Sequence, residues 1–441
     1  MHEQATGGGR PSSLYSEPGS KWLGPPDSNA IASSPPLGHS GKVGGVRQPD
    51  PHHCDLSPVA CGPPASLYLH IPFCLAKCSY CDFSSYPGLG ALHAPYVRAL
   101  ATEVRQAGAL WQRARLRTLY IGGGTPTALP PGLLEEAIEA VAQGWQLSHE
   151  AEITVEANPG TVTLEALSAL RRAAVNRLSL GVQSFQPAFL RLLGRVHSAA
   201  QAAQAVRLAR AAGLGNINLD LIYGLPGQTL ADWQADLEAA LALEPDHLSL
   251  YALTLEPETP LARRVACREV PEPDAELAAE MYEYAEARLA QAGFDHYELS
   301  NWARTPALRC QHNLTYWHNL PYAGCGSAAH SWLGGRRKAN VGDPREYVAR
   351  IERGESPLAE EEAIGPAMER AETMILGLRL VEGVSRAEFR ARFGADPVDL
   401  YLSAIAESQA DGLLEVDEGH IRLSPRGRLL GNQVFLRFLP G

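Results

Sequence analysis

Three closely spaced cysteines are the residues of this chain best placed to do chemistry. Cys74, Cys78 and Cys81 form a C-x3-C-x2-C pattern beside Phe73 and Tyr80. A cubane iron–sulfur cluster that serves electron transfer takes four thiolate ligands, so three leave one iron open to a cofactor or substrate. The alternative is three buried thiols under a loop. Their position at the end of a predicted strand, among aromatic residues, favours the cluster.

Composition places the chain among ordinary globular proteins. Its 441 residues are 45% hydrophobic and 20% charged, and the net charge of −11 with a pI of about 5.7 does not provide a basic surface for nucleic acid. No apolar run reaches the roughly 18 residues of a membrane span, and no secretory signal is visible. We therefore expect a cytoplasmic protein without a membrane anchor, whose cysteines are reduced and whose clustered cysteines bind metal.

Residues 1–65 differ from the rest of the chain. They are rich in Gly, Pro and Ser without hydrophobic periodicity, which predicts a disordered N-terminal extension. The stretch His52-His53-Cys54, together with Cys61, could bind a metal. We favour ordinary residues, because no second ligand pair follows at zinc-site spacing. A start codon assigned too far upstream would also explain the segment.

Short apolar strands alternate with helical patterns over residues 66–300. Such alternation implies right-handed crossovers and a parallel sheet. Six units are too few to close an eight-stranded barrel, so we predict an α/β fold with a partial (β/α)6 barrel. The predicted strands are Leu67–Ile71, Thr118–Ile121, Glu152–Glu156, Arg177–Val182, Asn216–Ile222 and His247–Ala252; the predicted helices are Ala94–Leu110, Leu133–Gln143, Leu164–Ala173, Ala199–Ala212, Leu230–Leu243 and Ala275–Gln291.

Two further units are predicted after the barrel. Residues 301–359 form an aromatic, glycine-rich connector, and residues 360–441, which begin at the acidic stretch Glu360-Glu-Glu362, form a winged-helix-like α+β domain. That shape often binds DNA, but the unit has about as many acids as bases, so a lid or docking role is favoured. The predicted elements of this domain are helices at Ala367–Leu378, Arg386–Phe393 and Leu400–Ala410 and a hairpin from Leu413 to Leu423 with its turn at Asp417–Gly419.

Polar and glycine residues gather at the ends of the predicted strands. Functional residues of parallel barrels lie at the carboxyl ends of the strands, so these groups should meet the cysteine loop at one mouth. Simpler explanations exist: the glycines could form a turn, the carboxylates could be strand-end caps, and Arg195 could be a surface charge or a carboxylate clamp. The strand-end groups are Gly122-Gly-Gly-Thr-Pro126, Glu156 with Asn158-Pro159-Gly160, Gln183-Ser184, Asp220 with Tyr223-Gly-Leu-Pro-Gly227, and Tyr251.

The cysteine loop and the Gly-Gly-Gly-Thr-Pro stretch resemble the radical SAM superfamily. The resemblance implies a 4Fe–4S cluster held by Cys74, Cys78 and Cys81. S-adenosylmethionine would chelate the open iron, and an electron from the cluster would cleave its sulfonium. The residues that the resemblance assigns to S-adenosylmethionine are Tyr68, Tyr80, Gly123, Gly124, Thr125, Glu156, Gln183, Arg195, Asp220 and Ala252.

From about Tyr68 to the C-terminus the chain looks like the oxygen-independent coproporphyrinogen oxidase group. It departs from the oxidase at Phe83, where the oxidase has a cysteine, and in residues 1–65, which have no visible counterpart of the oxidase's ordered N-terminal region. Instead, Cys81-Asp-Phe83 and His312-Asn-Leu-Thr-Tyr-Trp317 resemble the HemW-type heme chaperones. In that group the H-N-x-x-Y-W pattern is implicated in heme binding.

Heme is therefore the third expected cofactor, with His312 as its candidate axial ligand. Cys310 and His330 are further candidate ligands. The alternative is a packed aromatic loop with a hydrogen-bonded histidine. Cys267 and Cys325 are expected to be buried thiols. The aromatic residues that could offer flat apolar surface to a porphyrin are Tyr316, Trp317, Tyr322 and Trp332.

Three functions remain open at this point. The first is a heme chaperone that binds heme and passes it to acceptor hemoproteins, with respiratory proteins as candidates and an electron donor for the cluster. The second is oxidative decarboxylation of coproporphyrinogen III, and the third is radical chemistry on another substrate, such as methyl transfer. Phe83 and the H-N-x-x-Y-W pattern favour the chaperone without oxidase activity. Cleavage of S-adenosylmethionine could accompany any of the three.

Overall fold

The computed structural model describes Ser57 and residues 59–440. The strands are β1 (Ser66–Ile71), β2 (Phe73–Cys74), β3 (Tyr86–Pro87), β4 (Arg115–Gly123), β5 (Gln146–Ala157), β6 (Arg177–Gln183), β7 (Asn216–Tyr223), β8 (His247–Ala252), β9 (Asp295–Glu298), β10 (Asn301–Ala303), β11 (Tyr322–Cys325), β12 (His330–Leu333), β13 (Arg336–Asn340), β14 (Leu358–Ala363), β15 (Val384–Ser385), β16 (Leu414–Val416) and β17 (His420–Leu423). The helices are α1 (His93–Leu110), α2 (Leu133–Gly144), α3 (Leu164–Arg172), α4 (Pro187–Leu192), α5 (Ala199–Ala211), α6 (Leu230–Leu241), α7 (Pro260–Ala266), α8 (Ala275–Gln291), α9 (Gln311–Trp317), α10 (Pro344–Glu352), α11 (Pro366–Gly377), α12 (Arg386–Phe393), α13 (Pro397–Leu400), α14 (Leu402–Ala410), α15 (Pro425–Leu429) and α16 (Gly431–Phe435).

A parallel sheet with a helix after each strand forms the larger part of the molecule. Strands β1, β4, β5, β6, β7 and β8 are neighbours in that order and pair in parallel. These six strands contain the six predicted ones, and a predicted helix follows each of them. The predicted partial (β/α)6 barrel is therefore confirmed.

Side chains alternate in character along the barrel strands. Leu119, Ile121 and Val155 lie in the main apolar core with residues of the covering helices. Thr118 and Thr154, at alternate positions, are buried and polar. Because successive side chains of a strand point to opposite faces, the core lies between sheet and helices, and the inner face of the barrel is polar. Buried polar groups need hydrogen-bond partners. At the ends of the strands, polar groups of this face lie around one mouth of the barrel.

The stretch expected to be a connector is built mostly from regular elements. Residues 301–359 contain β10 to β13, α9 and α10. Strand β11 pairs in parallel with β1, and β12, β13 and β14 continue the sheet in antiparallel order from there. These strands are only four to six residues long, too short for their periodicity to stand out from a glycine-rich background.

The C-terminal unit matches its predicted shape. Its small core is separate from that of the barrel, and β15, β17 and β16 form an antiparallel sheet beside α11, α12 and α14. The acidic stretch at residues 360–362 lies in β14, the edge strand of the barrel sheet, where Glu361 forms an ion pair with Lys338 at 3.2 Å. The domain boundary expected at residue 360 therefore cuts through a barrel strand.

The expected N-terminal disorder ends before residue 65. The backbone N–H of Ser57 donates to buried Glu369 at 3.1 Å, and Arg392 pairs with the same carboxylate at 2.9 Å. Ala60 is buried in a cluster with Trp317. These partners are far away in sequence, so composition could not reveal them. The predicted disorder of residues 1–56 and the stretch His52-His53-Cys54 lie outside the described residues.

The cysteines follow the expectations only in part. Cys325 is buried, as expected, but Cys267 is exposed at the end of α7. Cys61 is disulfide-bonded, which corrects the expectation of uniformly reduced cysteines. Within the described residues, none of the helices has the length and apolar character needed to cross a bilayer.

Candidate functional site

The cysteine loop lies over the carboxyl ends of the barrel strands. Cys74 ends β2, and Cys78 and Cys81 follow in an irregular segment. Ser79 fixes this segment to the barrel: its N–H donates to the carbonyl of Leu193 at 3.0 Å, and its hydroxyl donates to that of Leu192 at 2.7 Å. The loop is thus held on the helix that follows β6, with its cysteines facing the strand ends.

Most of the predicted site residues line one cavity. Residues from the cysteine loop and from the ends of β4, β5, β6 and β7 meet there, as the barrel rule predicts. Phe83 is also part of the wall. The predicted residues in the cavity wall are Cys74, Cys78, Tyr80, Cys81, Gly123, Gly124, Thr125, Glu156, Gln183, Arg195 and Asp220.

Some cavity residues were missed by the sequence analysis. Ser179 and Gly181 share a face of β6 with Gln183, so strand alternation would have found them. Asn158 belongs to a strand-end stretch noted in the sequence. Further wall residues without such a signal are Leu75, Ala76, Ser85, Ala157, Thr161, Gly194 and Val196.

The glycine triplet is required by close packing and is more than a turn. A Cβ atom on Gly122 would lie 2.7 Å from the carboxyl carbon of Glu156, and one on Gly124 would lie 2.6 Å from the carbonyl oxygen of Phe73. Gly123 has φ of +109°, which favours glycine. The approach places the hydroxyl of Thr125 3.6 Å from the sulfur of Cys74. The triplet therefore brings the β4 loop against the cysteine loop.

Two carboxyl groups face the cavity from β5 and β7: Glu156 is half-buried and Asp220 is buried. Glu156 accepts hydrogen bonds from the Tyr120 hydroxyl at 2.8 Å and from the Gly123 N–H at 3.1 Å, and burial raises its pKa to about 8. Asp220 accepts from the Asn218 amide at 2.7 Å, and burial raises its pKa too. Because an approaching cation favours the ionised form, both groups suit a positively charged ligand better than a neutral one.

Arg195 and Gln183 add polar groups that lack partners. The guanidinium of Arg195 donates to the sulfur of Cys78 at 3.3 Å and to the carbonyl of Gly181. Its Nε, and the side-chain oxygen of Gln183, are buried without a hydrogen-bond partner among the described residues. Gln183 also has φ of +68° at a register shift between β6 and β7. Such strain and unsatisfied groups are typical of ligand sites. Arg195 is therefore not a surface charge.

The thiols suit a cluster better than a single ion. Among the described residues no three His, Cys, Asp or Glu side chains converge on one ion position, whereas in a cubane each thiolate binds a different iron. Burial raises the pKa of Cys81 to about 11 and that of Cys74 as well, so a nearby positive charge would be needed to keep either of them a thiolate.

The volume of the cavity is small for a ligand site. It measures about 90 Å³, below the roughly 300–1,000 Å³ of typical ligand pockets. One wall is the exposed tip of the cysteine loop, where Leu75 is 62% exposed. The cavity in this form is therefore smaller than an ordinary ligand site, although its wall contains thiol, carboxyl and guanidinium groups.

Two residues assigned to S-adenosylmethionine lie outside the cavity wall. Tyr68 is buried in the barrel, where its hydroxyl forms a hydrogen bond with the Nδ1 of His70 at 3.0 Å. Ala252 is exposed at the end of β8. Tyr68 instead lies beside His312, with 6.4 Å between the ring centroids.

His312 is also outside the cavity, and its expected role as a heme ligand stays a prediction. Its side chain is 1% exposed. Its Nδ1 lies 2.7 Å from the hydroxyl of Thr118, its Nε2 lies 2.9 Å from the hydroxyl of Tyr316, and its ring stacks on Tyr120. An iron atom could reach either nitrogen only if a buried hydrogen bond broke. The structure thus contains the alternative, a packed aromatic segment with a hydrogen-bonded histidine.

Of the other two candidate heme ligands, Cys310 is as enclosed as His312 and His330 is half-buried. Cys310 is fully buried, with its sulfur 3.6 Å from Glu152, and the same carboxylate accepts from the first N–H groups of α9. His330 begins β12, where burial lowers its pKa. The aromatic residues expected to face a porphyrin are buried together in one cluster: Tyr316, Trp317, Tyr322 and Trp332.

Comparison with known proteins gives matches over most of the chain. The Radical SAM superfamily matches residues 68–240, and the HemN C-terminal domain matches residues 368–430. The heme chaperone HemW of Bacillus subtilis is 37% identical over 375 residues, which cover 85% of this chain and 99% of that protein. The heme chaperone HemW of Escherichia coli is 36% identical, over 86% of this chain and 98% of that protein.

A solved structure is similar over the same range. Coproporphyrinogen III oxidase (HemN) from Escherichia coli, a radical SAM enzyme, aligns with a TM-score of 0.76 and 26% identity. The alignment covers 85% of this chain and 90% of that one. It therefore extends beyond the barrel into the C-terminal unit.

Proposed function

Because the chain belongs to the radical SAM superfamily and, within it, to the HemW family of heme chaperones, we propose that it binds heme and delivers it to acceptor hemoproteins. The observation that carries the proposal is identity of more than a third of the residues over nearly the whole length of the Bacillus subtilis chaperone. A match of this extent includes the barrel, the segment around α9 and the C-terminal unit.

The superfamily implies a 4Fe–4S cluster and S-adenosylmethionine, and we assign both to the cavity under the cysteine loop. When bound, they supply an electron and a cleavable sulfonium. Cys74, Cys78 and Cys81 are the proposed cluster ligands. Arg195 would place a cation beside Cys78, and the unpartnered oxygen of Gln183 would accept a hydrogen bond from the cofactor's amine.

The remaining cavity groups would orient the same cofactor. The raised pKa values of Glu156 and Asp220 mean that a cationic ligand gains by drawing each group to its ionised form. Backbone atoms of Gly123 and Gly124 would approach closely because no side chain intervenes. In this proposal the cavity supports or regulates heme delivery and takes no part in holding heme.

The first test is a heme titration of the full chain after anaerobic cluster reconstitution. We expect one heme per chain. Cys81→Ser should lower bound iron and sulfide without abolishing heme binding, whereas Cys267→Ser, at an exposed thiol outside the cavity, should change neither. Reconstituted protein that shows no heme absorption band would contradict the chaperone function. Full cluster content in the Cys81 variant would contradict the ligand assignment alone.

Coproporphyrinogen oxidation is the second candidate, favoured by the TM-score of 0.76 to HemN. Against it stands Phe83, which lines the cavity where the resemblance gives the oxidase a cysteine. Anaerobic incubation with coproporphyrinogen III, S-adenosylmethionine and a reductant should give no protoporphyrinogen. Robust turnover would make the oxidase the correct function.

A further inference from the structure

A second cavity lies between the barrel and the C-terminal unit. It is a groove of about 630 Å³, within the range of ligand pockets. It shares no wall residue with the cavity under the cysteine loop. Its wall consists of Val59, Trp317, His318, Leu320, Thr373, Gly377, Leu380, Glu382, Gly383, Val384, Ser385, Glu388, Phe389, Arg392 and His420.

The apolar part of this wall includes two large aromatic residues. Trp317 and Phe389 are each 2% exposed, and Leu380 and Val384 are buried beside them. The indole N–H of Trp317 is buried without a hydrogen-bond partner among the described residues. The two rings are therefore packed into the wall and expose little of their own surface. The volume of the groove and its mixed apolar and polar wall suit a ligand that has both kinds of surface.

Two imidazoles reach the groove from different parts of the fold. His318 follows α9 on the barrel side, and His420 begins β17 in the C-terminal hairpin. In the described part of the chain, no hydrogen bond or ion pair engages either ring.

The groove does not suit a bare metal ion, but it would suit heme, in which the porphyrin already binds the iron. Glu382 and Glu388 also line it, but no three such side chains among the described residues converge on one ion. Heme iron needs only one or two axial ligands from the protein. Arg392 is engaged by Glu369 and by the carbonyl oxygens of His318 and Asn319. Arg392 is therefore not free to pair with the heme propionates.

We propose that this groove is the heme site and that His318 and His420 are the axial ligands. The proposal rests on the heme-binding function proposed above. His312 and Tyr316 fix α9 through their hydrogen bond, and Trp317 and His318, at the end of the H-N-x-x-Y-W segment and just after it, line the groove. One ligand from each side would make heme bridge the barrel and the C-terminal unit.

The test compares heme titrations of the full chain with those of His318→Ala, His420→Ala and the double variant. The double variant should bind heme about tenfold more weakly or worse, and each single variant should shift the Soret band. His149→Ala, at an exposed histidine on β5, is the matched control and should behave as the unaltered chain. Far-ultraviolet circular dichroism confirms that each variant is folded.

A second variant tests the groove without touching a ligand. Val59 is 36% exposed at its wall, so Val59→Trp should obstruct heme entry and also weaken binding. If the unaltered chain takes up no heme, the proposed function itself fails. If it binds heme but the double variant and Val59→Trp retain its affinity and spectrum, the chaperone function stands and this site is wrong.

Discussion

His312→Ala is the substitution that best separates a structural from a ligating histidine. The imidazole is 1% exposed and lies between two hydroxyl groups, those of Thr118 at 2.7 Å and Tyr316 at 2.9 Å. Removing it leaves both hydroxyls buried without their partner, at a cost of about 1–3 kcal/mol each. Loss of the stacked contact with Tyr120, 5.1 Å between ring centroids, adds about 0.5–1.5 kcal/mol.

Together these terms lower the free energy of unfolding. Water can enter the space left by the imidazole and offset part of the loss, so we expect a net fall of about 3–5 kcal/mol. A domain is stable by only about 5–15 kcal/mol, so the variant should remain folded at low temperature. Urea denaturation followed by circular dichroism measures the loss. His312→Gln should recover part of it, because its amide can bond one of the two hydroxyls. His149→Ala, at an exposed site, should cost less than about 0.5 kcal/mol.

The same variant should keep its heme affinity and Soret position once folded protein is selected. His312 supports Tyr120, which donates to Glu156 in the cysteine-loop cavity, so binding of S-adenosylmethionine should weaken instead. The reasoning is refuted if His312→Ala unfolds at the urea concentration of the unaltered chain and yet loses its heme absorption. That result would mean that the histidine leaves its buried position to bind iron.

Three other substitutions test the supports of the fold and the site. Asp236 accepts hydrogen bonds from Ser184 and Phe185, just after strained Gln183, so Asp236→Asn should weaken S-adenosylmethionine binding severalfold, as measured by equilibrium dialysis. Gly124→Ala would force a Cβ to 2.6 Å from a backbone carbonyl and should lower the melting temperature, whereas Gly215→Ala, with open space around it, should not. Burial raises the pKa of Glu103 from 4.5 to about 7, so between those pH values the folded chain holds a proton that the unfolded chain has lost. Stability should fall by up to about 3 kcal/mol as the pH rises through that window, and Glu103→Gln should flatten the decline in urea titrations at several pH values.

The barrel and the cysteine-loop cavity were predictable because their signals are local. Each strand and helix carries its own periodicity, and the barrel rule converts strand order into a common mouth for Gly123, Glu156, Gln183 and Asp220. The packing in the structure then explains why particular residue types are needed at positions where the sequence spacing left two interpretations open. The contact of Gly122 with Glu156, for instance, shows why the triplet cannot be an ordinary turn.

The surroundings of the candidate heme ligands could not be predicted, for the opposite reason. Nothing in the stretch 312–317 reveals that α9 lies against the barrel interior, with its first N–H groups capped by Glu152 of β5. Whether a histidine is a ligand or a buried support depends on such partners, which are distant in sequence. The same holds for the groove: His318 and His420 belong to different units, and only the packing of the C-terminal unit against α9 brings them to one wall.

Helix α9 lies between the two cavities, which gives the proposed cluster site a physical route to the proposed heme site. At its start His312 stacks on Tyr120 beneath Glu156, and at its end Trp317 and His318 line the groove. If cofactor binding at Glu156 shifts α9, S-adenosylmethionine must change heme affinity, and heme must change S-adenosylmethionine affinity by the same factor. Heme titrations with and without S-adenosylmethionine, and the reverse pair, measure both factors. If each ligand changes the affinity of the other by the same factor, and His312→Ala removes both effects, α9 is the connection. If both effects survive the substitution, the coupling runs elsewhere.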